Sequence, residues 1–325
     1  MSRFPDAMES ISQVGDGMWL IEQPVLGESN VAFTNCYVLE GSGGDVHVID
    51  PGWDTTPNWR RLSASLSSIG KSLARIASIV VTHLHADHLG LARTVSRLTS
   101  APLFLGRVEA TSLNDLVPRR WAEPTLIDQL SRWGVPEKDR LFLVRALARE
   151  DPPTFPAPDV LIDDDDWLPI PGRRIKAVLT PGHTPGHLCL LDEDNHVLFT
   201  GDHVLPRINS GLGLAGEQSM SNPLVDYLHS LDRVESLSTV AFPGHHERIA
   251  DLPARVREIR VHHLNRATEV SQLRRHDSTP WSIARQLRWR AGWDTMGAYH
   301  RHSAIAQVSM HLNRLDSLAS VDLAN

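Results

Sequence analysis

Residues 82–90 read Thr-His-Leu-His-Ala-Asp-His-Leu-Gly, which places His83, His85, Asp87 and His88 within six residues. Imidazole and carboxylate are the usual nitrogen and oxygen ligands of divalent metals. The segment follows Ile76–Val81, a continuous apolar run that reads as a fully buried strand. On a backbone that is still extended, residues two apart point to one side, so His83 and His85 face the same way. Asp87 and His88 fall where the chain turns into the next helix. One segment can thus hold two metal ions, with His83 and His85 on one and Asp87 and His88 on the other. Four satisfied surface groups would be the plainer reading. Burying four such side chains at the end of an apolar strand, however, is costly without metal or dense hydrogen bonding.

Three later segments repeat one local plan: an apolar run, a glycine, then a candidate ligand. They carry His183 in Thr180-Pro-Gly-His-Thr-Pro-Gly-His187, Asp202 in Phe199-Thr-Gly-Asp-His203 and His245 in Phe242-Pro-Gly-His-His-Glu247. Glycine lets the backbone turn sharply and pass close to a ligand. Each motif is weak alone; with the first they form an ordered set.

The elements that must position these residues can be read around them. Met18–Glu22, Val31–Leu39 and Val46–Ile49 are strand-like runs bounded by turn signals. Pro57–Gly70 and Leu89–Leu98 read as helices. Residues 106–158 are punctuated by prolines and carry Trp121 and Trp133, the texture of an insertion that either packs as a connection or walls a substrate pocket. Strand signals resume at Arg174–Thr180, Leu188–Leu191 and Val197–Thr200, with a hairpin turn over Asp192–Asn195. The acidic run Asp163–Asp166 reads as a solvated loop. A helix over Pro223–Leu237 and a strand over Thr239–Phe242 follow, and beyond Asp251 only helical signals remain. Domains are therefore expected at 1–250 and 251–325.

Composition narrows the class. The chain has 325 residues, 41% hydrophobic and 22% charged, as in an ordinary globular protein with room for a large core. Cys36 and Cys189 are too few for a disulfide framework or a four-cysteine zinc site. Seventeen histidines are the outlying count. Lysines number three against 29 arginines, which leaves little room for Schiff-base or P-loop chemistry. The net charge of −7 argues against a polyanion binder overall. It conceals a basic tail, since residues 251–325 hold eleven arginines and seven acids. No leader-like segment opens the chain, and no apolar run approaches a bilayer span, so a cytoplasmic protein with no membrane association is expected.

The ordered motifs resemble those of the metallo-β-lactamase-fold hydrolase superfamily, over about residues 15–250. The resemblance implies an α/β (α+β) fold, a four-layer αββα sandwich with metals at one edge of its two sheets, here with a small, mostly helical C-terminal domain. It implies that His83, His85 and His183 bind a first metal and Asp87, His88 and His245 a second. Asp202 matches the carboxylate that bridges both. Asp50, in Val48-Ile-Asp-Pro-Gly52, matches a position that supports the site. Two zinc ions are the implied cofactor, with iron or manganese fitting nearly as well. In the implied mechanism a hydroxide bridging the metals attacks an electrophilic carbonyl or phosphorus, with Asp87 as the catalytic carboxylate that orients it or takes its proton. His203 and His246, beside two of the ligands, are candidates for substrate contact.

The superfamily's breadth leaves the substrate open. Acyl-homoserine lactonases of this family carry Tyr three residues after the bridging Asp, where this chain has Leu205. Glutathione thioesterases use a tail lysine, and no lysine follows Lys176. A thioester or ester, acyl-CoA-like, is therefore the expected substrate. Phosphodiester cleavage of nucleic acid ranks second, a lactonase or β-lactam hydrolase next, and a mononuclear-iron persulfide dioxygenase is the alternative from another reaction class. The tail is similar to the winged-helix-like tails of some members. It is expected to close the cleft or make a homodimer contact before it binds nucleic acid.

Overall fold

The computed structural model describes residues 11–25, 31–115, 121–148, 157–213, 222–238, 240–276 and 278–322. Strands β1 (Ile11–Gly15), β2 (Met18–Pro24), β3 (Phe33–Glu40), β4 (Val46–Ile49), β5 (Ile76–Val81), β6 (Leu103–Gly106) and β7 (Val160–Ile162) form one sheet in chain order. Pairing is antiparallel from β1 to β4 and parallel from β4 to β7. The second sheet runs β11 (Val240–Pro243), β10 (Val197–Gly201), β9 (Leu188–Asp192), β8 (Ile175–Leu179), with β10 and β11 parallel.

Three apolar layers stack these sheets. Between them lie Leu39, Ile49, Val80, Ile175, Leu190 and an aromatic trio, Tyr37, Phe199 and Phe242, with ring centroids 5.0–5.6 Å apart. The outer face of the first sheet is covered by α1 (Thr56–Ser68) and α3 (Ala92–Thr99) through Leu62, Leu66 and Val95. The outer face of the second is covered by α7 (Pro223–Glu235) and the first half of α8 (Leu252–Leu273), through Leu231, Val256 and Ile259. The result is the αββα sandwich.

Several expected boundaries shift for physical reasons. The single helix read over Leu89–Leu98 is two, a short α2 (Ala86–Leu89) and α3, because the Leu91 amide leaves the helical ladder and donates to Gly52 O at 2.8 Å. Edge strands β1 and β7 lack the full apolar alternation of buried strands, since Ser12, Gln13, Val160 and Leu161 are exposed. Asp163–Asp166 is exposed as expected, but it is anchored by ion pairs of Asp163 with Arg107, Asp164 with Arg233 and Asp165 with Lys176.

The 106–158 insertion begins with α4 (Arg107–Asp115) and continues as α5 (Glu123–Arg132) and α6 (Glu137–Leu147). Leu126, Leu130, Trp133, Leu143 and Leu147 share a core with Val270, Trp281, Ile283, Ile305 and Val308 of α8, α9 (Pro280–Ala284) and α10 (Ala298–Asp322). Thr279 and Ser282 close a capping box at the start of α9. The apolar stripe of α10 is buried at Ile305 and Val308, but Leu318 is exposed. No strand occurs among the described residues after 251, and the described part of the tail is helical. No helix of the described residues is long and apolar enough to cross a membrane.

On α8, His263 is buried beside Tyr227 and His311, its ring nitrogens without hydrogen bonds among the described residues. Burial, with the charges of His262, His311, Arg266 and Arg314, pushes its pKa down to about 3. An unfolded histidine titrates near 6.5, so between these values the unfolded chain binds the extra proton. The contribution is intact above about pH 6.5 and is lost as pH falls, by roughly 2–3 kcal/mol at pH 4.5. His263→Leu is expected to flatten the fall in unfolding free energy between pH 7 and 4.5, read by urea titration. An unchanged slope contradicts this assignment.

Candidate metal centre

The β-strands end at one edge of the sandwich and deliver the motif residues there. Parallel β4 and β5 finish side by side at Asp50 and Thr82. Asp50 takes a left-handed backbone, φ 50°, and its carboxylate accepts from the Thr82 amide at 2.8 Å and the Thr82 hydroxyl at 2.7 Å. The His88 Nδ1–H donates to the same carboxylate at 2.8 Å, which turns Nε2 outward. Asp50 thus fixes the orientation of the His88 ring, and a carboxylate behind an imidazole is an arrangement that orients histidines in metal sites.

Two further imidazoles are aimed by backbone carbonyls, and His83 Nδ1 meets the Thr82 hydroxyl at 3.0 Å. His183 Nδ1 donates to Gly211 O at 2.7 Å, and His245 Nδ1 donates to Phe33 O at 2.6 Å. His187 lies one layer below: its Nε2 accepts the Asp202 amide at 3.1 Å while Nδ1 meets the Thr180 hydroxyl at 2.9 Å. The two glycines before Asp202 and His245 are required by space. A Cβ on Gly201, which has φ +46°, would lie 2.7 Å from His187 Nε2, and one on Gly244 would lie 2.6 Å from Asp202 Oδ1.

Two groups of ligand-type atoms result, His83, His85, His183 with Asp202, and Asp87, His88 with His245. In the first, His83 Nε2 and His183 Nε2 each lie 3.0 Å from His85 Nδ1 and 3.3 Å from one another. Metal–nitrogen bonds of about 2.0–2.1 Å at tetrahedral angles call for nitrogens roughly 3.3 Å apart, so the spacing fits a metal. In the second, His245 Nε2 is 3.4 Å from Asp87 Oδ2 and 3.4 Å from His88 Nε2. Asp202 divides between them. Its Oδ2 lies 3.6 Å from His183 Nε2, and its Oδ1 lies 3.5 Å from His88 Nε2 and 3.3 Å from His245 Nε2. Oδ1 is buried and accepts no hydrogen bond among the described residues, the condition of an oxygen awaiting a cation.

Electrostatics separates the groups. Burial, with the charges of His88, His85 and His183, holds His83 well below the ordinary histidine range, and burial lowers His183. These rings are neutral, the state that binds metal. Burial would also lower His88, but Asp202, Asp50 and Asp87 outweigh it and raise it to about 10. Burial would raise Asp202, yet His245 and His88 keep its carboxyl ionised, well below the usual range.

The remaining sequence candidates lie outside these groups. His203 is buried against Tyr227 and His187, with ring centroids 5.0 and 6.0 Å away, and so packs beneath the site. His246 is partly exposed, with φ 65°, and its carbonyl accepts from Asn35 Nδ2 at 2.7 Å. Supporting residues that motif reading did not find include Asn35 and Tyr37, which also bond Pro243 O at 2.9 and 2.7 Å, and Ser210, whose hydroxyl is 2.9 Å from His183 Nδ1. For Asn35 the advance signal was a polar residue in the apolar β3 run, and Ser210 had none.

The model of the metallo-beta-lactamase superfamily matches residues 29–245, which spans both groups, the second sheet and β3–β7 of the first. The chain belongs to the metallo-beta-lactamase superfamily. Among superfamily members of solved structure, a metallo-beta-lactamase family protein from Thermus thermophilus is 28% identical, with TM-score 0.74 over 94% of this chain and 95% of that one. A beta-lactamase domain protein from Burkholderia ambifaria shares the fold at 22% identity, with TM-score 0.79 over 96% and 90% of the two chains. In sequence, the chain is similar to the atrochrysone carboxyl ACP thioesterase of Aspergillus fumigatus, 27% identical over 234 residues, 71% of this chain and 56% of that protein. The superfamily chain described here thus spans little more than half the length of that relative.

Proposed function

We propose that this chain is a two-metal hydrolase of acyl thioesters. The division of Asp202, one oxygen toward each ligand group, carries the two-metal reading. His83, His85, His183 and Asp202 would hold one ion, and Asp87, His88, His245 and Asp202 the other. Zinc suits this nitrogen and oxygen set, and iron or manganese satisfies the same donors. Bound there, two divalent ions supply a Lewis acid for the substrate carbonyl and bring the pKa of water toward neutrality. Asp87, with its side chain 18% exposed, is the ligand-group carboxylate most open to solvent, placed to orient the attacking water and hold its proton. Asp50 and His187 keep His88 and Asp202 in place while charge moves.

The thioester is supported by the thioesterase relative and by the residues that speak against other branches. Leu205 stands where the lactonases have tyrosine, and the tail carries no lysine for glutathione. A pantetheine thioester, on coenzyme A or on a carrier protein, is the substrate class proposed. The test is a hydrolysis panel on zinc-loaded protein: acyl-CoA, acyl-pantetheine, a lactone, a β-lactam and bis-p-nitrophenyl phosphate. The expected result is fastest turnover of the thioesters. Rapid phosphodiester cleavage with inert thioesters overturns the substrate class.

A further inference from the structure

Glu109 is fully buried in the first turn of α4, and neither ligand group includes it. An acid in such a place is costly unless something needs it. Its Oε1 accepts the hydroxyl hydrogen of Thr184, the residue after His183, which is itself buried. The amides of Leu84, between His83 and His85, and of Gly186 also favour the charged carboxylate, against the burial that raises its pKa to about 8. The backbones around it are in contact. A Cβ on Gly186 would lie 2.4 Å from the Glu109 nitrogen, and one on Gly106 would lie 3.0 Å from Gly186 O. The start of α4 therefore packs on the β8–β9 loop that supplies His183, and the Glu109 carboxylate, bonded to Thr184 of that loop, also faces the Leu84 amide between His83 and His85.

We propose that Glu109 is a positioning residue: it ties the β5–α2 loop to the β8–β9 loop at the separation where His83, His85 and His183 converge. The inference rests on the metal reading above and goes beyond its ligands. Groups that orient ligands typically alter metal affinity by about 10–100-fold. A carboxyl held largely neutral near pH 7 is mimicked by an amide, so glutamine is the conservative replacement here.

The test uses the full chain as wild type, Glu109→Gln, Glu109→Ala and Thr184→Val. Zinc affinity is read by competition with a chromogenic chelator, and the melting temperature of the metal-free protein is read alongside. Glu109→Ala is expected to weaken the tightest zinc equivalent by about 10–100-fold. Glu109→Gln should restore most of that loss, and Thr184→Val should fall between them, without the metal-free melting temperatures following the same order. Wild-type affinity in Glu109→Ala, equal losses in the alanine and glutamine variants, or losses that track metal-free stability overturn the proposal. If Glu109→Ala does not fold, Thr184→Val decides, and wild-type affinity there counts against it. A wild-type chain that binds no zinc defeats the metal reading itself, and this inference falls with it.

Discussion

Asp202→Ala is expected to abolish thioester hydrolysis and to empty both metal positions together. The reason is geometric: the carboxylate sends Oδ2 toward His183 and Oδ1 toward His88 and His245, so a single truncation removes an oxygen from each group. It also leaves the raised His88 without the first of the carboxylates that sustain its charge. The loss should exceed the roughly 10–100-fold typical of residues that only orient a ligand. Metal content by elemental analysis, beside hydrolysis rate, checks it. A variant that keeps its metal and its rate contradicts the bridging role.

His85→Ala should behave differently. His85 contributes a nitrogen to the first group alone, 3.0 Å from both His83 and His183, whereas the atoms around His245 do not involve it. The expected variant loses one metal equivalent and retains the other, while turnover falls by more than about a hundredfold because both ions act on one reaction centre. Loss of both equivalents would show that the two positions fill as a unit. Full activity in a verified metal-depleted His85→Ala protein would sink the metallohydrolase mechanism for this chain.

The ligand groups were legible in the sequence because each ligand sits at a strand end, marked by an apolar run before it and a glycine or a second ligand beside it. Asp50, at the end of β4 before Pro51-Gly52, came only through the family resemblance. The residues that hold the ligands were not. Glu109 lies in a helix of otherwise ordinary composition, and only the parallel placement of β6 beside β5 brings it under Leu84. Ser210 and Gly211 lie in a loop 27 and 28 residues after His183. The shared core of insertion and tail escaped for the same reason. Trp133 and Trp281 meet across the chain, with the Trp281 amide donating to Trp133 O at 3.0 Å, and no local periodicity reports such a pairing. Local rules also misread the start of the helix after the metal motif, because Gly52 O captures the Leu91 amide from another strand end.

The metal content of the purified wild-type chain, measured with its oxygen uptake during turnover, bears most directly on the two-metal site. Two divalent equivalents per chain, with hydrolysis that consumes no oxygen, is the predicted result. A single iron with oxygen uptake, or activity that persists without metal, would contradict it.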